Sequence, residues 1–156
     1  MVSQGDTRLD ASNISTRLWI GGQPPFDIDL PSFDLLVLCA RELQPTRVAF
    51  HGRVVRCPLR DAVLDHQELA TAVLSAKEVG DMLIGGGRVL VTCAMGRNRS
   101  ALVAGLALAM VTRMTADQII RLIRARRDSS LTNEHFRDIL QRLVTRGAPR
   151  VVRERR

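Results

Sequence analysis

The run Val89-Leu90-Val91-Thr92-Cys93-Ala94-Met95-Gly96-Arg97-Asn98-Arg99-Ser100 decides how this chain is read. Its first five residues are apolar or β-branched and end on a cysteine, as expected of a strand buried on both faces. From Ser100 to Thr112 the sequence turns very apolar, which reads as a buried helix. The turn between such a strand and the helix it feeds is where α/β sheets bind their ligands. A loop wrapped at a helix N-terminus aims peptide N–H groups inward at the positive end of the helix dipole. It therefore binds a phosphoryl dianion and favours a thiolate over a thiol. Gly96 permits the tight turn. Arg99 offers two parallel N–H donors to phosphoryl oxygens, and Ser100 a hydrogen bond to the sulfur of Cys93. In a chain of this composition Cys-x2-Gly-x2-Arg-Ser arises by chance with a probability on the order of 0.001.

Outward from that turn, short apolar runs alternate with helical stretches. Strands are expected at Arg17–Ile20, Leu35–Cys39, Val54–Cys57 and Val89–Cys93, all read as buried on both faces. A helix is expected over Gln67–Ile84, stopped by Gly85, Gly86 and Gly87. Past the Cys93 turn the pattern is helical only: Ser100–Thr112, Thr115–Arg127 and Thr132–Arg146. In the second of these Ala116, Ile119, Ile120 and Ile123 line one face, and in the third Phe136, Ile139, Leu140 and Leu143 do. Thr115 with Gln118 has the form of a capping box. No repeat or low-complexity linker interrupts this order, so a single α/β domain is expected.

Composition narrows the function classes. The chain has 156 residues, 46% of them apolar, enough for one core and too few for two comfortable domains. Its N-terminus is polar and its longest apolar run, Ala101–Val111, is far short of the roughly 20 residues that cross a bilayer. Neither a signal peptide nor a membrane span is expected. Three cysteines, two of them inside apolar runs, argue against a disulfide framework and for a reducing, cytoplasmic setting. The net charge is +7, and residues 121–156 hold all of the excess, with 11 basic against 4 acidic residues. Of the 23 basic residues only Lys77 is a lysine. The charge reads as a solvated face with an arginine-rich end, Arg146–Arg156, so nucleic acid is a possible partner and not the favoured one. His51, His66 and His135 lack metal-ligand spacing, and no metal site is expected.

The residues around Cys93 resemble the signature HCxxGxxR[ST] of the cysteine-based protein tyrosine phosphatases, in particular their dual-specificity branch. The likeness extends along the chain. Ile14–Gly22 is similar to the family's opening strand and Leu35–Ala40 to the next. Cys57-Pro58-Leu59-Arg60-Asp61 resembles the segment carrying the general acid, and Thr132-Asn133-Glu134-His135-Phe136 the P-N-x-x-F that opens the last helix, with threonine for proline. The resemblance implies a phosphotyrosine phosphatase-like α/β domain: a twisted, mostly parallel sheet of four to five strands with helices on both sides. It divides the chain into a lead-in over 1–13, a catalytic domain over 14–146 and an Arg-rich tail over 147–156. It implies a phosphomonoester hydrolase without a cofactor, acting on a phosphorylated substrate, foremost a protein.

In that reading Cys93 is the nucleophile, and Ala94, Met95, Gly96, Arg97, Asn98 and Arg99 bind the phosphoryl group. Ser100 assists the leaving sulfur, and Asp61 is the general acid and then base, with Asp65 as its rival in the same short loop. Thr92 stands where the family nearly always has histidine, which predicts a weaker nucleophile unless the threonine hydroxyl donates to the loop in its place. Arg97 resembles a basic residue of lipid-directed phosphatases, and Gly-x-Asn-Arg a motif of RNA 5′-triphosphatases, so phosphoinositides and RNA 5′ ends stand as alternative substrates. A phosphate-binding pseudophosphatase is a further alternative. The chain has no tyrosine, hence no tyrosine lid, and a shallow cleft is expected. Cys57 is a candidate to trap an oxidised Cys93.

Overall fold

The computed structural model describes residues 9–24, 30 and 32–145. Five strands and four helices follow in the order β1 (Ala11–Ser15), β2 (Leu18–Gly22), β3 (Leu35–Ala40), β4 (Arg53–Leu59), α1 (His66–Ile84), β5 (Val89–Cys93), α2 (Arg99–Val111), α3 (Ala116–Arg126) and α4 (Glu134–Thr145). The strands form one sheet in the order β1-β2-β5-β3-β4. The pairs β2–β5, β5–β3 and β3–β4 are parallel, and β1 is antiparallel to β2.

Side chains alternate across this sheet and divide the core in two. Leu18, Ile20, Leu35, Val37, Cys39, Val89, Val91 and Cys93 face the helices. Leu36, Leu38 and Leu90 face the other way, toward Leu30, Phe33, Val48 and Phe50. Trp19 belongs to this second layer, edge-on to Phe33 at 5.4 Å with the Arg88 guanidinium 4.4 Å over its ring. It is a packing residue.

Among the described residues all four helices pack on one face of the sheet. Right-handed crossovers explain why. From β2 to β3, and from β3 to β4, the chain steps across the sheet in one direction, whereas from β4 to β5 it steps back. The β3–β4 connection therefore lies on the face opposite α1, where Val48 and Phe50 pack. That connection is only twelve residues, 41–52, with Pro45 and Gly52 in it and no helix, so among the described residues that face is covered by loop side chains.

Two strand expectations change. β4 is an edge strand with Arg53, Arg56 and Pro58 exposed, not one buried on both faces. β1 extends the opposite edge, although Ala11-Ser12-Asn13-Ile14-Ser15 carries almost no apolar signal, because Arg127 on the far side of the sequence holds Asp10 and Ser12. Residues 1–8 of the lead-in and the tail 147–156 lie outside the described residues.

The helices begin and end as their sequences dictate. Asp65 caps α1, accepting from the Glu68 amide at 2.8 Å, while the Glu68 side chain reaches back to the Asp65 amide. Thr115 and Gln118 form the same reciprocal pair at α3. α2 is buried on nearly every side because it runs between the sheet and α1, α3 and α4, which is why its sequence shows no polar face. Among the described residues no helix is long and apolar enough to cross a membrane.

Candidate active site

β5 ends at Cys93 and α2 begins at Arg99, so residues 94–98 form a five-residue bend at the C-terminal edge of the parallel strands. Four consecutive carbonyls of this bend are tied to its outside. Arg127 donates from Nη2 to Met95 O at 2.9 Å and from Nε to Gly96 O at 2.7 Å. Leu131 N donates to Arg97 O at 2.8 Å, and Leu102 N to Asn98 O at 2.9 Å. With the carbonyls drawn outward, the peptide N–H groups of residues 95–98 have no acceptor among the described residues. A ring of free amides at a helix N-terminus is an anion cradle. Gly96 has φ +67°, and a Cβ there would come within 2.2 Å of the Gly21 carbonyl carbon. Only glycine meets both conditions.

The buried Cys93 Sγ lies 3.4 Å from Ser100 Oγ on the first turn of α2. Arg99, also buried, points back under the loop. Its Nη1 and Nη2 donate to the two carboxylate oxygens of Glu42 at 2.6 and 2.7 Å, and Nη1 also donates to Leu59 O at 3.0 Å. Nε has no partner among the described residues. A guanidinium has five N–H bonds in a fixed plane, so the edge formed by Nε and the second Nη2 hydrogen stays available for one bidentate anion. Burial works against the Arg99 charge; the Glu42 hydrogen bonds, with Cys93 and Asp61 nearby, outweigh it and raise the pKa above the ordinary arginine value. In return Arg99 lowers the Glu42 pKa.

Asp61 and Asp65, the two carboxylates weighed from the sequence, part company here. Asp61 Oδ2 accepts from Asn98 Nδ2 at 3.1 Å and Oδ1 from Asn133 Nδ2 at 2.9 Å, which places it beside the loop. Asp65 is taken up by the α1 cap and lines a separate cleft with Arg41, Gln67 and Thr71. Arg60, next to Asp61, is locked to Glu68 by Nε at 3.0 Å and Nη2 at 2.5 Å, and its amide donates to the same carboxylate. These bonds hold the Glu68 pKa down at about 2 and fix the loop 60–65 against α1.

Thr92 does not replace the family's histidine. Its buried hydroxyl donates sideways to Val37 O at 3.0 Å, and a hydroxyl has one proton to give. Arg97 turns outward, its Nη1 on Asp128 O. Met95 is exposed, so it contributes backbone and not side chain to the cradle. Cys39, Cys57 and Cys93 are free and share the helix-facing core layer. Cys57 faces Cys39, one strand inward, and not Cys93; burial pushes the Cys39 thiol pKa up. Glu42 and Arg127 are site residues that the sequence reading missed. An acid just past a buried parallel strand was the available sign for Glu42; Arg127 had none.

A family model for the dual specificity phosphatase catalytic domain matches residues 29–145. A search of curated proteins found no match. Among solved structures, human DUSP28 superposes with a TM-score of 0.73 at 18% identity, covering 87% of this chain and 93% of its own. Tk-PTP in its active form gives 0.71 at 16%, covering 88% and 97%, and DUSP15 gives 0.70 at 17%, covering 86% and 87%. At such identities these superpositions speak for the fold. With the family match along most of the described chain, they establish that this protein belongs to the dual specificity phosphatase catalytic-domain family.

Proposed function

We propose that the protein is a cysteine-dependent phosphomonoesterase acting on phosphorylated serine, threonine or tyrosine side chains. One observation carries the reading: Cys93 and Ser100 sit 3.4 Å apart at the mouth of α2, beside an arginine whose Nη atoms are engaged by Glu42 and Leu59 and whose Nε edge is free. The Cys93 thiolate attacks phosphorus in line while the loop amides and Arg99 hold the equatorial oxygens. As the P–O bond breaks, Asp61 gives its proton to the leaving oxygen, and a phosphocysteine remains. Asp61, now a carboxylate, takes a proton from water as that water attacks phosphorus. The S–P bond breaks, Ser100 donates a hydrogen bond to the departing thiolate, and inorganic phosphate leaves. The exposed Met95 and Val63, on the phosphate loop and the acid loop, support an open mouth that accepts all three phosphorylated side chains. Three free buried thiols favour a reducing, cytoplasmic setting.

The test is steady-state hydrolysis of p-nitrophenyl phosphate between pH 5 and 8 with EDTA present, for wild type and Cys93→Ser. Turnover lost with the serine variant is the expected result. Turnover that survives the substitution overturns the nucleophile. No turnover in wild type, with vanadate still binding, makes the protein a phosphate-binding module instead.

A further inference from the structure

Asp61 carries both of its oxygens to amide donors, one from the phosphate loop and one from the N-terminus of α4. The orientation of each amide is set by groups other than Asp61. Asn133 Oδ1 accepts from the Phe136 amide at 3.3 Å, as an N-cap does, which turns Nδ2 toward Asp61. Asn98 Oδ1 accepts from the Asn133 amide at 3.0 Å and from Thr132 Oγ1 at 3.3 Å, which turns its Nδ2 the same way. Flipping either amide would set its oxygen against the Asp61 carboxylate and its NH2 against a backbone N–H, that of Phe136 for Asn133 and that of Asn133 for Asn98, leaving that N–H without an acceptor. The two donors are thus preset before Asp61 arrives.

We infer that Asn98 and Asn133 are positioning residues that dock the Asp61 carboxyl over the phosphate-binding loop, so that the acid is in place before substrate binds. The inference rests on the proposed role of Asp61. Neither asparagine touches the reacting phosphoryl group by side chain in this scheme; each acts through the carboxyl it holds. The arrangement joins three elements distant in sequence, the loop after β4, the loop after β5 and the start of α4, at one carboxylate. An amide suits both positions for a chemical reason: it accepts from a backbone N–H with its oxygen and donates to Asp61 with its nitrogen. Aspartate caps a helix as well as asparagine does, yet it would offer Asp61 a carboxylate in place of a donor.

That difference separates positioning from capping. Asn133→Asp keeps the α4 cap and repels Asp61; Asn133→Ser keeps a cap and lacks the reach to donate. General-acid catalysis matters most when the leaving group is poor, so kcat/KM for phenyl phosphate and for p-nitrophenyl phosphate are compared in wild type, Asp61→Asn, each Asn133 variant and the double variant Asp61→Asn/Asn133→Asp. With Asn133→Asp we expect a fall of about tenfold or more on phenyl phosphate, less than about threefold on p-nitrophenyl phosphate, and no further fall in the double variant. Asn133→Ser follows the same pattern, with its melting temperature close to wild type. Equal falls on both substrates, or an Asn133 effect that persists undiminished without the Asp61 carboxyl, overturn the docking role. If Asp61→Asn itself does not discriminate between the leaving groups, the assignment of the acid fails and the docking role with it. An Asp61→Asn that discriminates beside Asn133 variants that do not removes the docking role alone.

Discussion

Thr92 gives its only hydroxyl proton to Val37, so its side chain serves the sheet and not the phosphate loop. Thr92→Val should therefore destabilise the fold by about 1 kcal/mol, the loss of a buried hydrogen bond, while kcat/KM stays within about threefold of wild type. Thermal denaturation and p-nitrophenyl phosphate kinetics on the same sample check both halves. A large kinetic loss without a stability loss would return Thr92 to the loop. Cys93, Gly96, Arg99 and Ser100 were legible because they fall within eight consecutive positions and each answers to a local rule. Glu42 and Asn133 were not, because their meaning lies in partners 57 and 72 residues away. The place of Glu42 just past a buried strand puts it at the ligand-binding edge of the sheet, but nothing near it says that Arg99, at the start of α2, is its partner. The family resemblance put Asp61 ahead of Asp65, but what separates them physically is that Asp65 is consumed by a helix cap.

Among the elements, the loop 60–65 and α1 act as one piece through Glu68. The Arg60 guanidinium and two backbone amides surround this carboxylate and hold its pKa at about 2, against an ordinary 4.5. A carboxyl whose folded pKa is depressed stabilises the fold above its unfolded pKa and loses that contribution as pH falls through the folded one. The Glu68 contribution is thus complete above about pH 4.5 and disappears toward pH 2. Urea denaturation of Glu68→Gln should show a stability deficit at pH 7 that narrows steadily over that window; a deficit independent of pH would mean that packing, not charge, is what Glu68 supplies. At this scale the sequence was informative where one physical cause dominated. The helices α1, α3 and α4 show caps and a single apolar face, and β3 and β5 are continuous apolar runs, so their limits fall within a few residues of expectation. β4 deceived because Val54-Val55 reads like a central strand, whereas position in the sheet order decides how much of a strand is buried. β1 was hidden because its pairing is held from outside by Arg127.

Across the whole molecule, Arg127 is the point where the sheet edge, the phosphate loop and the α3–α4 turn meet. One buried guanidinium binds Asp10, Ser12, Met95 O and Gly96 O, so the far edge of the sheet and the anion cradle share an anchor. The turn that follows it is held in a costly shape, with Ser129 at φ 58° and Leu131 at φ 55°, and Leu131 N then closes onto Arg97 O. Backbone geometry at the cradle is therefore set by contacts on three sides of the domain, which no local stretch of sequence could announce. The opposite edge of the sheet poses a different problem. Among the described residues β4 leaves one row of peptide groups without a neighbouring strand, and such a row is a template on which a second molecule can stack. Arg56 places a positive charge along it, Arg53 carries an ion pair with Glu78, and Pro58 removes an N–H from the ladder. The triple change Arg53→Val, Arg56→Val, Pro58→Val should leave specific activity per folded molecule intact yet produce concentration-dependent light scattering at micromolar protein. The consequence of this edge is colloidal and not catalytic: its side chains act between molecules, keeping each one apart from its copies.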